Sequence, residues 1–138
     1  MDKVYHLDLD LASVAGATHA LLPGDPARVA EIAAAFDPQA REIADRREFR
    51  TFLGKLEGQS VLVTSTGIGG PSTSIVVEEL ARLGVRTFLR VGTTGAIQPE
   101  IAIGDVIVTT GAVRLDGAST HYAPIEYPAL TTSSCGRW

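Results

Sequence analysis

The chain has 138 residues, 45% hydrophobic and 20% charged, an ordinary globular composition and enough length for one domain that buries roughly two-thirds of its unfolded-chain surface. Twelve basic residues, of which ten are Arg and two (Lys3 and Lys55) are Lys, stand against 16 acidic ones, and the net charge of −4 argues against a nucleic-acid or membrane binder. A single cysteine, Cys135, excludes an intrachain disulfide framework and a Cys-based zinc site; with no apolar run of about 18 residues and no basic-then-apolar leader, the expected compartment is the cytoplasm.

In chain order, Ala17 to Leu22 is a short apolar run that stops at Pro23-Gly24-Asp25-Pro26, which reads as a strand entering a turn. Val29, Ile32, Ala33 and Phe36 follow helical spacing, with Asp25 placed as N-cap and Pro26 at the first helical position. From Arg41 to Leu56 the alternation of Phe49, Thr51 and Leu53 with Arg50 and Phe52 predicts an antiparallel pair closed by Gly58. Val61-Leu62-Val63 has the continuous apolar character of a strand covered on both faces, and it leads into the glycine loop Thr64 to Ser72. Val76, Leu80 and Leu83 then mark a helix face, Glu78 and Glu79 are expected on its solvated side, and Gly84 falls at the C-cap. Thr87 to Val91 is a further strand, also expected to be covered on both faces, and it runs into Gly92-Thr93-Thr94-Gly95. Asp105 to Val113 predicts one more strand, and from Arg114 the chain reads as loop. Strand, glycine loop and helix in this series indicate an α/β fold with a largely parallel sheet, which binds ligands at the carboxyl ends of its strands.

Three glycine loops, PGDP, GIGGPS and GTTGA, each follow a predicted strand, and two of them open a helix, where free N–H groups and the helix dipole favour an anion. Gly24 lets the backbone approach a ligand and Arg28 adds a forked cation, although a plain turn with a solvated Arg fits the same residues. Arg90 interrupts the apolar run Phe88-Leu89-Val91; if enclosed, it needs a carboxylate or an anionic ligand, and its place beside the Gly92-Thr93 loop favours the ligand. Arg forks, glycine N–H groups and the Thr93 hydroxyl are what phosphate recognition uses. GxxxxGK[ST], GxGxxG with its acidic partner, GxSxG, HExxH and CxxC are all missing from the sequence, so phosphate itself becomes a candidate nucleophile and catalysis becomes positioning and charge stabilisation. His6 reads on its own as a solvated residue near a terminus, and Arg46-Arg47 beside Glu42, Asp45 and Glu48 as a surface ion-pair cluster. Asp116 and His121 share a loop without a strong local motif.

PGDPARV, REF at Arg47 to Phe49, STGIGGPSTSIVVEELARLG, RTFLRVGTTGAIQ and VRLDGAS together resemble the N-terminal half of the bacterial uridine phosphorylases of the nucleoside phosphorylase family. The resemblance implies a three-layer α/β fold with a mixed sheet and flanking helices, truncated here. Residues 1–130 are expected to be the N-terminal half of the domain, and 131–138 a non-matching tail of the kind left by a frameshift read-through or an assembly break. The implied activity is reversible phosphorolysis of uridine to uracil and ribose 1-phosphate. Gly24, Arg28, Arg90 and Thr93 would hold phosphate, with Thr93 also near the ribose. Arg47 would reach the phosphate of a neighbouring subunit and His6 would cap that neighbour's ribose 5′-hydroxyl, so that each site needs a dimer, with dimers assembling to a hexamer. No organic cofactor is implied; a potassium ion at the dimer interface would take Glu48, the Ile68 carbonyl and Ser72. The family's base-reading and ribose-diol residues lie in its C-terminal half, so weak or no turnover is expected of these 138 residues, exposed apolar faces are expected to promote association, and two alternatives stand beside the uridine enzyme: a purine nucleoside phosphorylase, or a phosphate-binding or dimerising fragment.

Overall fold

A computed structural model describes residues 3–132. Its elements are β1 (His19–Leu22), a 3-10 turn (Pro26–Arg28) running into α1 (Val29–Phe36), β2 (Arg41–Arg46), β3 (Phe49–Leu56), β4 (Gln59–Thr64), α2 (Gly70–Arg82), β5 (Thr87–Arg90), β6 (Gly111–Ala112), a second 3-10 turn (Ala118–His121) and β7 (Ala129–Leu130). They divide between two compact units, Met1–Gly92 and Thr93–Trp138.

The first unit is built on a five-stranded mixed sheet of order β2-β3-β4-β1-β5. β1 lies parallel to both β4 and β5, whereas β2, β3 and β4 are successive antiparallel neighbours. The antiparallel part follows from short connections: Arg46 pairs with Phe49 and Leu56 with Gln59, leaving two-residue turns. In the second of these Glu57 and Gly58 both take positive φ, at 51° and 80°, as a turn matched to strand twist requires. The sequence expectation of a largely parallel sheet therefore holds only around β1.

Strand alternation sends neighbouring residues to opposite faces. Ala20, Leu22, Phe49 and Leu62 join Val76 and Leu80 of α2, and Leu83 at its C-cap, in one buried cluster. Leu21, Phe52 and Val63 face the other way and pack with Val29 and Ala33 of α1. One helix thus covers each face, giving the three-layer α/β arrangement. Asp25 caps the first helical turn by accepting from the Ala27 N–H at 2.8 Å, where the sequence placed it. The enclosure leaves one polar blemish. Thr51 and Thr64 face each other across β3 and β4, fully buried, and neither hydroxyl has a hydrogen-bond partner among the described residues.

Two expectations fail on the strand side. β5 is an edge of the sheet, and Thr87, Leu89 and Arg90 are exposed, so it is not covered on both faces. In the second unit the strand predicted over Asp105 to Val113 shrinks to Gly111–Ala112, paired among the described residues with Ala129–Leu130 alone. Val106, Ile107 and Val108 find no neighbouring strand among the described residues and stay exposed. Strand formation needs hydrogen-bonded neighbours as well as apolar side chains. Cys135 and most of the tail over 131–138 lie outside the described residues.

Candidate functional site

β1, β4 and β5 run in the same direction, so their carboxyl ends lie on one edge of the sheet and deliver PGDP, the Ser65–Gly69 segment and Arg90 there. The loops after β1 and β4 are laced together: Thr66 N–H donates to the Pro23 carbonyl at 2.9 Å and Gly67 N–H to the Gly24 carbonyl at 3.0 Å. A Cβ built on Gly24 would stand 3.0 Å from Nη2 of Arg90, so the guanidinium lies directly against the glycine. Gly24 and Arg90, singled out separately in the sequence, are thus brought together.

Arg90 is not the enclosed charge that the sequence suggested, because β5 is an exposed edge. Its Nη1 donates to the Leu22 carbonyl at 3.1 Å and to the Val91 carbonyl at 2.6 Å. These bonds aim the fork without neutralising it. Arg28, Arg47 and Arg90 pair with no carboxylate among the described residues. Arg28 closes the 3-10 turn behind Gly24 and is half-buried. Thr93 opens the second unit, where it is exposed.

A second grouping surrounds the β2–β3 turn. Arg47 is exposed and adopts φ 58°, a left-handed conformation unusual for a side chain of this size. Glu42 pairs with Arg50 at 2.7 Å, and Arg46 donates to the Tyr5 carbonyl at 2.6 Å, so the surface ion-pair cluster considered for Arg46-Arg47 does not form. Beside Arg47, the Glu48 carboxylate accepts from Ser72 Oγ at 3.3 Å. Gly67, at φ 67°, admits this approach, since a Cβ there would meet Glu48 Cγ at 2.7 Å. Glu48 and Ser72 are therefore adjacent oxygen donors packed against Gly67, the residue before the fully exposed Ile68. An all-oxygen set with one carboxylate suits a hard cation of low charge. It offers no cluster of three His, Cys, Asp or Glu among the described residues.

His6 belongs to a third grouping, one that the sequence reading missed. Glu79, expected on the solvated side of α2, is 6% exposed and accepts from His6 Nδ1 at 2.6 Å, from the His6 N–H at 3.0 Å and from the Leu7 N–H at 2.9 Å. Burial by itself would raise its pKa. The Leu7 N–H, the His6 side chain, the His6 N–H and the His6 charge outweigh that and hold the carboxyl below its ordinary value. The signal was available: Val76, Glu79, Leu80 and Leu83 stand at i, i+3, i+4 and i+7, which puts Glu79 on the apolar stripe. Asp116, by contrast, spends its carboxylate on Ser119 Oγ and Ser119 N–H, at 2.6 and 2.8 Å, and these bonds hold its pKa low. His121 ends the adjacent 3-10 turn, exposed.

Compared with known proteins, residues 18–135 match the model of the phosphorylase superfamily. The chain belongs to that superfamily. It is 59% identical over 135 residues to a uridine phosphorylase of Haemophilus influenzae, covering 98% of this chain and 53% of that protein. It is 60% identical over 132 residues to a uridine phosphorylase of Escherichia coli, covering 96% of this chain and 52% of the relative. A guanosine phosphorylase of Halorubrum lacusprofundi is 46% identical over 111 residues, covering 80% and 46%. The chain spans about half the length of these curated relatives. Superfamily membership agrees with the mixed sheet carrying one helix on each face, and no described helix is long and apolar enough to cross a membrane.

Proposed function

We propose that this chain carries the phosphate-binding half of a uridine phosphorylase. The observation that carries the reading is the Arg90 guanidinium laid against Gly24 at the carboxyl edge of the parallel strands, in a chain 59–60% identical to uridine phosphorylases. Gly24, Arg28 and Arg90 hold phosphate. Arg90 is already aimed by two carbonyls, so little reorganisation accompanies binding. A phosphate oxygen forms the bond to the sugar C1′ as the glycosidic C–N bond breaks, and the electron pair leaves with uracil. The Arg forks balance the charge of phosphate while the sugar passes through an oxocarbenium-like state.

Arg47 and His6 would serve the phosphate and the ribose 5′-hydroxyl of a neighbouring copy, in a dimer that assembles to a hexamer. Glu48, Ser72 and the Ile68 carbonyl would hold potassium at that interface, where a second copy completes the oxygen shell. A cytoplasmic location is part of this reading.

The test is to incubate the protein with uridine and phosphate and follow uracil and ribose 1-phosphate. Release that depends on phosphate and is lost in Arg90→Ala supports the proposal. The guanosine phosphorylase relative favours a purine nucleoside as second reading, which guanosine or inosine in the same assay decides. Phosphate binding in calorimetry without release of any base would replace both with a binding module.

A further inference from the structure

We propose that Glu79 is the positioning residue for His6: its carboxylate fixes the imidazole as the Nδ1–H tautomer and ties down its backbone, leaving Nε2 as a hydrogen-bond acceptor for a sugar hydroxyl. The choice of hydroxyl rests on the uridine phosphorylase reading; the coupling of Glu79 to His6 does not.

The geometry is that of a carboxylate filled with donors. Oε1 takes His6 Nδ1 and shares the His6 N–H with Oε2, which also takes the Leu7 N–H. Acceptance by an ionised carboxylate requires the Nδ1 partner to be N–H, so in the neutral imidazole the lone pair lies on Nε2. The low pKa of Glu79 keeps it in this acceptor-only form at neutral pH. Further support comes from β2: Arg46 donates to the Tyr5 carbonyl and stacks 4.8 Å from the Tyr5 ring centroid, and that ring meets the His6 ring edge-on at 5.0 Å. Backbone and imidazole are thus held by α2 and β2 together, although the His6 side chain keeps 34% exposure. A glutamine at position 79 cannot reproduce this. It has one acceptor oxygen, and its NH2 group must face either a backbone N–H or Nδ1, where it would donate and reverse the tautomer.

The experiment has two arms. Nitrogen-15 NMR of the wild-type protein, with the imidazoles in their neutral form, should show Nδ1 of His6 protonated and Nε2 bare; Glu79→Gln should shift His6 towards Nε2–H. In the second arm, kcat/KM for uridine and for 5′-deoxyuridine are compared. The wild type should prefer uridine by about tenfold, the worth of one hydrogen bond, and the preference should fall towards one in both Glu79→Gln and His6→Ala, with KM rising more than kcat falls. A merely structural role for Glu79 would lower both substrates alike. An Nε2–H tautomer in the wild type, or a uridine preference unchanged in Glu79→Gln, overturns the proposal. If Glu79→Gln does not fold, the wild-type tautomer and the substrate ratio in Glu79→Asp decide. Absence of phosphorolysis in the wild type would leave phosphate binding in calorimetry to judge the functional reading and the NMR arm to judge Glu79.

Discussion

Leu62, Val63, Leu80 and Val85 in the first unit are fully enclosed, whereas Ile97, Ile103 and Val106 in the second are 93%, 107% and 90% exposed. The side chains are of one chemical kind; their surroundings differ. The strand carrying Leu62 and Val63, β4, has hydrogen-bonded neighbours on both sides and a helix on each face. β6 and β7 are two residues long and, among the described residues, have only each other. A lone two-stranded ribbon is marginal in water, and each large apolar side chain left exposed forgoes about 1.5–3 kcal/mol of burial. An apolar run makes a strand only where the chain also supplies something for it to pair with and lie against.

The contrast can be broken most directly by substitution. Phe49→Ala, at 1% exposure in the first unit, should cost about 3–5 kcal/mol in urea unfolding, while Ile103→Ser should stay within about 0.5 kcal/mol; equal effects would mean that the two units do not differ as described. Next in size, Arg90→Ala should lower uracil release about a hundredfold, as loss of a preorganised charge-stabilising donor does, with the urea midpoint held. Gly24→Ala sharpens the point. Its Cβ meets the movable end of Arg90 and no backbone within 3.4 Å, so the fork is displaced and the KM for phosphate should rise about tenfold with melting temperature unchanged. Enclosure has a cost at the paired threonines, and Thr64→Val, which removes an orphaned hydroxyl, should stabilise the chain by about 1 kcal/mol.

The smallest effect is in pH. Glu79 is held below its ordinary pKa in the folded chain, so its contribution to stability is complete above the ordinary carboxylate value and is lost as pH falls through the lower, folded-state value. A melting-temperature profile should show this acid limb in the wild type and a weaker one in Glu79→Gln.

What could be read from the sequence was what local spacing controls. The β1–PGDP–α1 passage, the β2–β3 hairpin, the twice-covered β4 and the start of α2 at GIGGPS all follow from turn chemistry and periodicity within a few residues. What could not be read depends on partners distant in sequence. Whether Phe88 to Arg90 is enclosed turns on which strand lies outside β5, and no residue in that run carries the answer. Residues 105–113 likewise have strand character without a partner. Of the candidate site, Gly24 and Arg90 stood out by type and position, but their contact appears only when β1 and β5 are placed side by side. Glu79 is a different kind of miss, since its charge drew attention away from a helical spacing that already put it inside.

The left-handed backbone of Arg47 has a consequence for how this chain can drift. Glycine or asparagine would occupy that turn with less strain, so selection for folding alone pulls the position away from arginine. If Arg47 serves a neighbouring copy's phosphate as proposed, chains under selection for that role should hold arginine there against this pull, and copies released from it should lose the guanidinium before the core changes.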